Sequence, residues 1–160
     1  MAQLVTAQAV PVTPAAGGQN INVNAAKQFL QQHYWPHGLI NLMLSDLGKS
    51  CYHFFIVDDS GSMAHGDGNM LRHTARGMHS VAVNCTRWSE MVEAIKFHAG
   101  FANAANVPCE FRLLNHDIPV TVGAGPDSHH NVLALDSLLN GSPGGGKCTS
   151  FLFYSQLLDN

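Results

Sequence analysis

FFIVDDSGSM, residues 54–63, is the stretch on which the reading of the whole chain turns. An apolar run ends abruptly in Asp58, Asp59, Ser60, Gly61 and Ser62, the composition of a buried strand that delivers polar groups at its carboxyl end. Open α/β sheets place their sites at that end. Asp58, Ser60 and Ser62 fall at alternate positions, so an extended or gently turning backbone aims their oxygens at one spot, and Gly61 permits the turn. Oxygen donors of this kind suit a hard cation such as Mg²⁺.

The composition around this stretch sets bounds. The 160 residues are 46% hydrophobic and 12% charged, one domain's worth of globular sequence with enough apolar material for a core. A formal net charge of -3 and scattered basic residues give no footprint for nucleic acid. No apolar run approaches the ~20 residues that span a bilayer, and the first charged side chain is Lys27, so a basic signal-peptide n-region is missing. The expectation is a cytoplasmic protein that binds neither nucleic acid nor membrane. Cys51, Cys85, Cys109 and Cys148 form no C-x-x-C pair and are read as reduced, mostly buried thiols.

Residues 1–24 carry no charge and no sustained periodicity, and are read as a disordered tail. Residues 25–49 are expected to be a helical pair packing on the domain: Asn24 caps the first helix, Phe29, Leu30 and Tyr34 share a side, Pro36 breaks the run, and the second helix stops at Gly48. Trp35, Leu39, Leu42 and Met43 are expected to cover one edge of the domain.

After the first strand, the glycine- and histidine-containing segment to Cys85 reads as an excursion off the sheet rather than a regular element, with Asp67 solvated. Thr86 caps a helix whose stripe of Trp88, Met91, Val92, Ile95, Ala99 and Ala102 is core. VPCEFRLLN, residues 107–115, is a strand, and HDIPVTVG, residues 116–123, turns into a short edge strand. Strand, helix and strand at this spacing predict a parallel crossover. A further helix capped by Asp127 or Ser128 carries Val132, Leu135, Leu138 and Leu139 inward, then a glycine loop over 142–150 leads into FLFYSQLLDN, residues 151–160, read as the start of another helix.

DDSGSM after an apolar strand, a downstream helix, and a P-G-G-G-x-x-T loop together resemble the A domain of von Willebrand factor, whose metal-ion-dependent adhesion site is written D-x-S-x-S, then Thr, then Asp. The resemblance covers residues 51–160 and assigns Asp58, Ser60 and Ser62 to the first motif and Thr149 to the second. It implies an α/β fold: a Rossmann-like three-layer sandwich with a mainly parallel central sheet and helices on both faces. It also implies Mg²⁺- or Mn²⁺-dependent contact with a protein partner that presents a carboxylate, rather than catalysis. The family's third motif, an aspartate after the fourth strand, has no counterpart here, so the chain reads as the N-terminal two-thirds of such a domain, with weakened metal affinity. An incomplete sheet would leave an apolar strand edge open to self-association.

Other chemistries fit less well. A V-D-D-S opening also resembles receiver domains of two-component signalling, with Asp117 as phosphoacceptor, but Asp117 lies too far along the chain and lacks the lysine that follows in that family. Ser60 or Ser62 as a hydrolase nucleophile lacks a G-x-S-x-G elbow. Cys85 and Cys109 with His98 or His116 lack the short spacing of a zinc site, and Lys147 after the glycines is not in a phosphate-loop frame. A truncated α/β domain without function is the remaining alternative.

Overall fold

The computed structural model describes residues 20–47, 49, 52–73, 80–123 and 125–144. The tail over 1–19, Cys51, the glycine loop from 145, Thr149 and the expected last helix lie outside the described residues.

The chain is mixed α/β, with four α-helices and two small sheets among the described residues. Strand β1 (His53–Val57) is parallel to β4 (Cys109–Leu113), with Phe55 opposite Phe111 and Val57 opposite Leu113. Strand β5 (Val120–Val122) pairs antiparallel with β4, giving the order β1-β4-β5. The crossover from β1 to β4 runs through helix α3 (Arg87–Ala105). Pro119, with no amide hydrogen to give a ladder, stands just before edge strand β5.

The excursion after β1 is more ordered than the sequence suggested. Residues 68–85 form an antiparallel hairpin, β2 (Gly68–His73) with β3 (Ser80–Cys85). Glycine, asparagine and histidine breaks concealed a ladder in which Met70 faces Val83 and Leu71 faces Ala82. Backbone pairing tolerates this composition because the hairpin is a surface ribbon, and its Leu71, Val81 and Val83 stay exposed. Its base is fixed to α3: a Cβ on Gly68 would stand 2.7 Å from the Thr86 carbonyl oxygen, and the Asn69 amide donates to Glu90 at 3.1 Å.

Helix α3 begins as its sequence requires, with Thr86 Oγ1 accepting from the Ser89 amide at 3.1 Å. Its Trp88, Val92, Ile95, Ala99 and Ala102 pack with Val57, Cys109, Phe111, Leu113 and Val122 of the sheet and with Leu135 and Leu139 of α4 (Ser128–Leu139). No side-chain cap from Asp127 holds α4. Ser128 instead is buried, accepting from the Gly123 amide at 2.7 Å and donating to Asn103 Oδ1 at 2.6 Å, which fastens the start of α4 to α3.

The other side of α3 makes a second core. Helix α1 (Val23–Gln32) and helix α2 (His37–Asp46) bring Ala26, Leu30 and Ile40 against Phe101, Ala105 and Val107. Trp35 stacks on Phe97 with centroids 5.4 Å apart. The cap of α1 is Asn22, which accepts from the Ala25 amide at 3.0 Å, not Asn24. Tyr34, at φ 58, ends the helical turn in the left-handed region and is exposed, so it leaves the side occupied by Leu30. Helix α2 buries Ile40 and turns Leu39 and Leu42 outward, because Pro36 caps it and resets the phase of its apolar face.

His98 lies between the two cores, its ring 4.9 Å from that of Phe55. It lines a small apolar cavity of about 150 Å³ together with Met43, Leu47, His53, Phe101 and Cys109. Burial, then the neighbouring His53, holds the His98 imidazole below its ordinary pKa of 6.5. The unfolded chain therefore takes up a proton that the fold resists, so this contribution to stability is complete above pH 6.5 and is lost as pH falls toward the folded-state value. Urea midpoints are expected to drop between pH 7.5 and 5.5, and less so in His98→Gln. Equal pH slopes for the two chains would assign the acid sensitivity elsewhere.

Candidate functional site

Strand β1 delivers its polar end to the carboxyl edge of the sheet. The Ser60 amide donates to Asp58 Oδ1 at 2.9 Å, an Asx-type turn that folds the chain over just past the strand. A single 3₁₀ turn over Gly61–Ala64 follows, and it brings the Ser60 and Ser62 hydroxyl oxygens to 2.9 Å of each other. Asp58 and Ser60 are half-buried and Ser62 is exposed, so the cluster opens to solvent. Asp58, Ser60 and Ser62 are thus brought together, and Thr149 lies outside the described residues.

Asp59, which stands between Asp58 and Ser60 of the D-x-S-x-S pattern, turns inward. It is 3% exposed, and its Oδ1 accepts from both the amide and the side-chain nitrogen of Asn115, each at 2.9 Å. Its Oδ2 stands 3.7 Å from His116 Nε2. With Leu114 N–H donating to the Val57 carbonyl at 3.0 Å, these contacts clamp the end of β1 to the end of β4. The clamp fixes the backbone from which Asp58 and Ser60 project. Strand alternation held the signal: Phe55, Val57 and Asp59 share one parity, and the first two are packed toward α3.

The cluster's far wall is the start of α3. The Arg87 amide donates to the His65 carbonyl at 3.0 Å. Asp67, read as solvated, is exposed, and Arg87 also holds it, with Nε and Nη2 donating to its two oxygens at 2.7 and 2.6 Å. The guanidinium holds the Asp67 carboxyl below its ordinary range. Asp67 is thereby committed to the hairpin base rather than to the serine cluster.

The residues of the other readings are placed differently. Asp117 is exposed in the turn between β4 and β5, and His129 and His130 are exposed at the start of α4. Burial pushes the Cys109 thiol up to about 12, so it is a poor source of thiolate. Among the described residues, no group of three or more His, Cys, Asp or Glu side chains is placed to hold a metal ion. That leaves hydroxyl-rich sets such as Asp58, Ser60 and Ser62 to be judged on their own geometry. Among the described residues no helix is long and apolar enough to cross a membrane.

No protein-family model matches the chain, and neither curated proteins nor solved structures gave a match.

Proposed function

We propose that the chain is a cation-dependent protein-binding module of the von Willebrand A type, with Asp58, Ser60 and Ser62 as ligands and Thr149 as a fourth. The observation that carries this reading is the 2.9 Å between the two serine hydroxyl oxygens. Two neighbouring ligands of an octahedral Mg²⁺, each roughly 2.1 Å from the ion, stand about 3.0 Å apart, close to the separation seen here. The observed 2.9 Å also suits an ordinary hydroxyl hydrogen bond, so an entering ion would replace that bond with little movement of the turn. Asp58 supplies negative charge directly or through a water. Because the hydroxyls are neutral, a bound Mg²⁺ or Mn²⁺ would keep most of its charge and attract a partner's carboxylate to an open coordination position.

The fold proposed alongside is a three-layer sandwich of which the described helices form the layers on one side of β1-β4-β5. A cytoplasmic setting suits Cys85 and Cys109, both free thiols.

Isothermal titration of Mg²⁺ or Mn²⁺ into the full chain tests the site. Wild type is expected to bind, and Ser60→Ala is expected to bind roughly 10–100-fold more weakly, the loss seen even for groups one shell further out. Equal heats from the two chains would remove the site. Binding lost in Ser60→Ala with no cation-dependent protein capture would leave an ion site without the adhesion role.

A further inference from the structure

We propose that the cavity between the two cores is a binding site for one small uncharged ring compound of the phenol class. It measures about 150 Å³, and every residue lining it is among the described ones. A dry cavity of that size accepts one benzene-sized molecule, and it is well below the ~300 Å³ at which sites for drug-sized ligands begin. It lies where α3 divides its two partners: Ala102 belongs to the core on the sheet, and its neighbour Phe101 to the core under α1 and α2. The Ala102 methyl is too short to bridge the gap between them.

The lining selects the chemistry of the guest. Phe55, Phe101, Leu47 and Val107 supply apolar walls, and no lysine, arginine, aspartate or glutamate is among the lining residues. A charged guest would lose its water without gaining a counter-ion, so it is excluded. Imidazole is the polar exception. His98 is held through its ring, 4.9 Å from that of Phe55 and edge-on to Phe97 at 5.5 Å, and makes no hydrogen bond among the described residues. Burial, then the neighbouring His53, lowers its pKa from 6.5, so at pH 7.5 the ring is neutral and carries one donor and one acceptor. A single hydroxyl on the guest can use either.

Water is a poorer occupant. An ordered water needs several polar partners, and besides the two imidazoles the lining side chains offer only the Cys109 thiol, a weak donor. Entry is on the side of His53, which is exposed, and of Met43, which is half-buried and has a flexible side chain that can swing aside. The opposite walls are fixed, since Leu47, Phe101, Ala102, Val107 and Cys109 are all buried.

The cavity is separate from the serine cluster and does not rest on the cation reading. His53 and Cys109 are register partners at the first positions of β1 and β4. Asp58 follows the far end of β1, about 17 Å along the strand.

The test is a titration of phenol into the methyl-labelled full chain at pH 7.5, followed by NMR. Phenol stays uncharged there, as a tyrosine side chain does. Wild type is expected to show saturable shifts with a dissociation constant of roughly 0.1–1 mM, ordinary for a guest of so few atoms, and cross-relaxation from phenol protons to the Ala102 and Val107 methyls. Ala102→Leu, which fills the cavity, should abolish both, and Met43→Phe, which plugs its mouth, takes that part if the leucine chain fails to fold. His98→Leu should weaken phenol roughly 5–10-fold, the worth of one hydrogen bond, and leave benzene unchanged, while benzoate should not bind wild type. No saturation by about 10 mM phenol, well above the expected constant, would overturn the proposal. So would cross-relaxation confined to other residues, undiminished binding in a folded filling variant, or benzoate binding as tightly as phenol. Equal affinity of wild type and His98→Leu for phenol would do the same, because the imidazole would then have no part in choosing the guest.

Discussion

Gly123→Ala is expected to destabilise the fold by about 3 kcal/mol or more, combining a disfavoured backbone region with a direct clash. Gly123 joins β5 to α4 at φ +80, and a Cβ there would stand 1.8 Å from the Val107 carbonyl oxygen and 2.7 Å from that of Ala102. Neither oxygen can retreat easily, since Ala102 accepts from the Val107 amide at 3.0 Å and Val107 is itself buried in the second core. Any shift of Gly123 also disturbs its bond to Ser128, which anchors α4. Gly125 provides the control: it has φ +76 but nothing within 4 Å of its missing Cβ. Gly125→Ala should therefore cost only the left-handed backbone, about 1–2 kcal/mol. Urea midpoints at constant m-value measure both effects, and equal losses would show that close approach to Val107 contributes nothing.

The parts of this fold legible in the sequence are those where one residue pattern answers to one environment. The α3 stripe from Trp88 to Ala102 packs on the sheet, and the strand, helix and strand order gives the parallel β1 and β4 pair. A second stripe on α3, Phe97, Phe101 and Ala105, went unread because it serves another partner, the α1 and α2 pair. A helix apolar on two sides loses the contrast on which a single-face reading depends. The β2 and β3 hairpin escaped for the opposite reason: its exposed ribbon needs no buried face, so pairing left little periodicity to detect.

At the site, spacing along the chain foretold the proximity of Asp58, Ser60 and Ser62, because all three lie within one local turn. The Asp59 clamp was hidden because its partner Asn115 is 56 residues away, and that pairing exists only once β1 and β4 are in register. Local chemistry is written locally, whereas the groups that hold it still come from the crossover.

Phe111→Ala is expected to cost about 3–5 kcal/mol, the range for a large aromatic side chain deleted from a packed core. Phe111 is fully buried at the middle of the central strand, and its ring stacks on Phe55 with centroids 5.0 Å apart. Through Phe55 the loss reaches β1, three residues before Asp58, and around it stand Val92, Ile95 and Ala99 of α3, too short to close the gap. Phe111→Leu keeps most of the volume and should cost about 1–2 kcal/mol. For a domain of ordinary total stability, about 5–15 kcal/mol, the alanine chain would sit close to its unfolding threshold while the leucine chain stays well folded. Denaturant midpoints in that order are the expected result. If Phe111→Ala unfolds no more easily than Phe111→Leu, the ring stack is not what holds β1 to β4, and the rim that presents Asp58, Ser60 and Ser62 must be held chiefly by the clamp between Asp59 and Asn115.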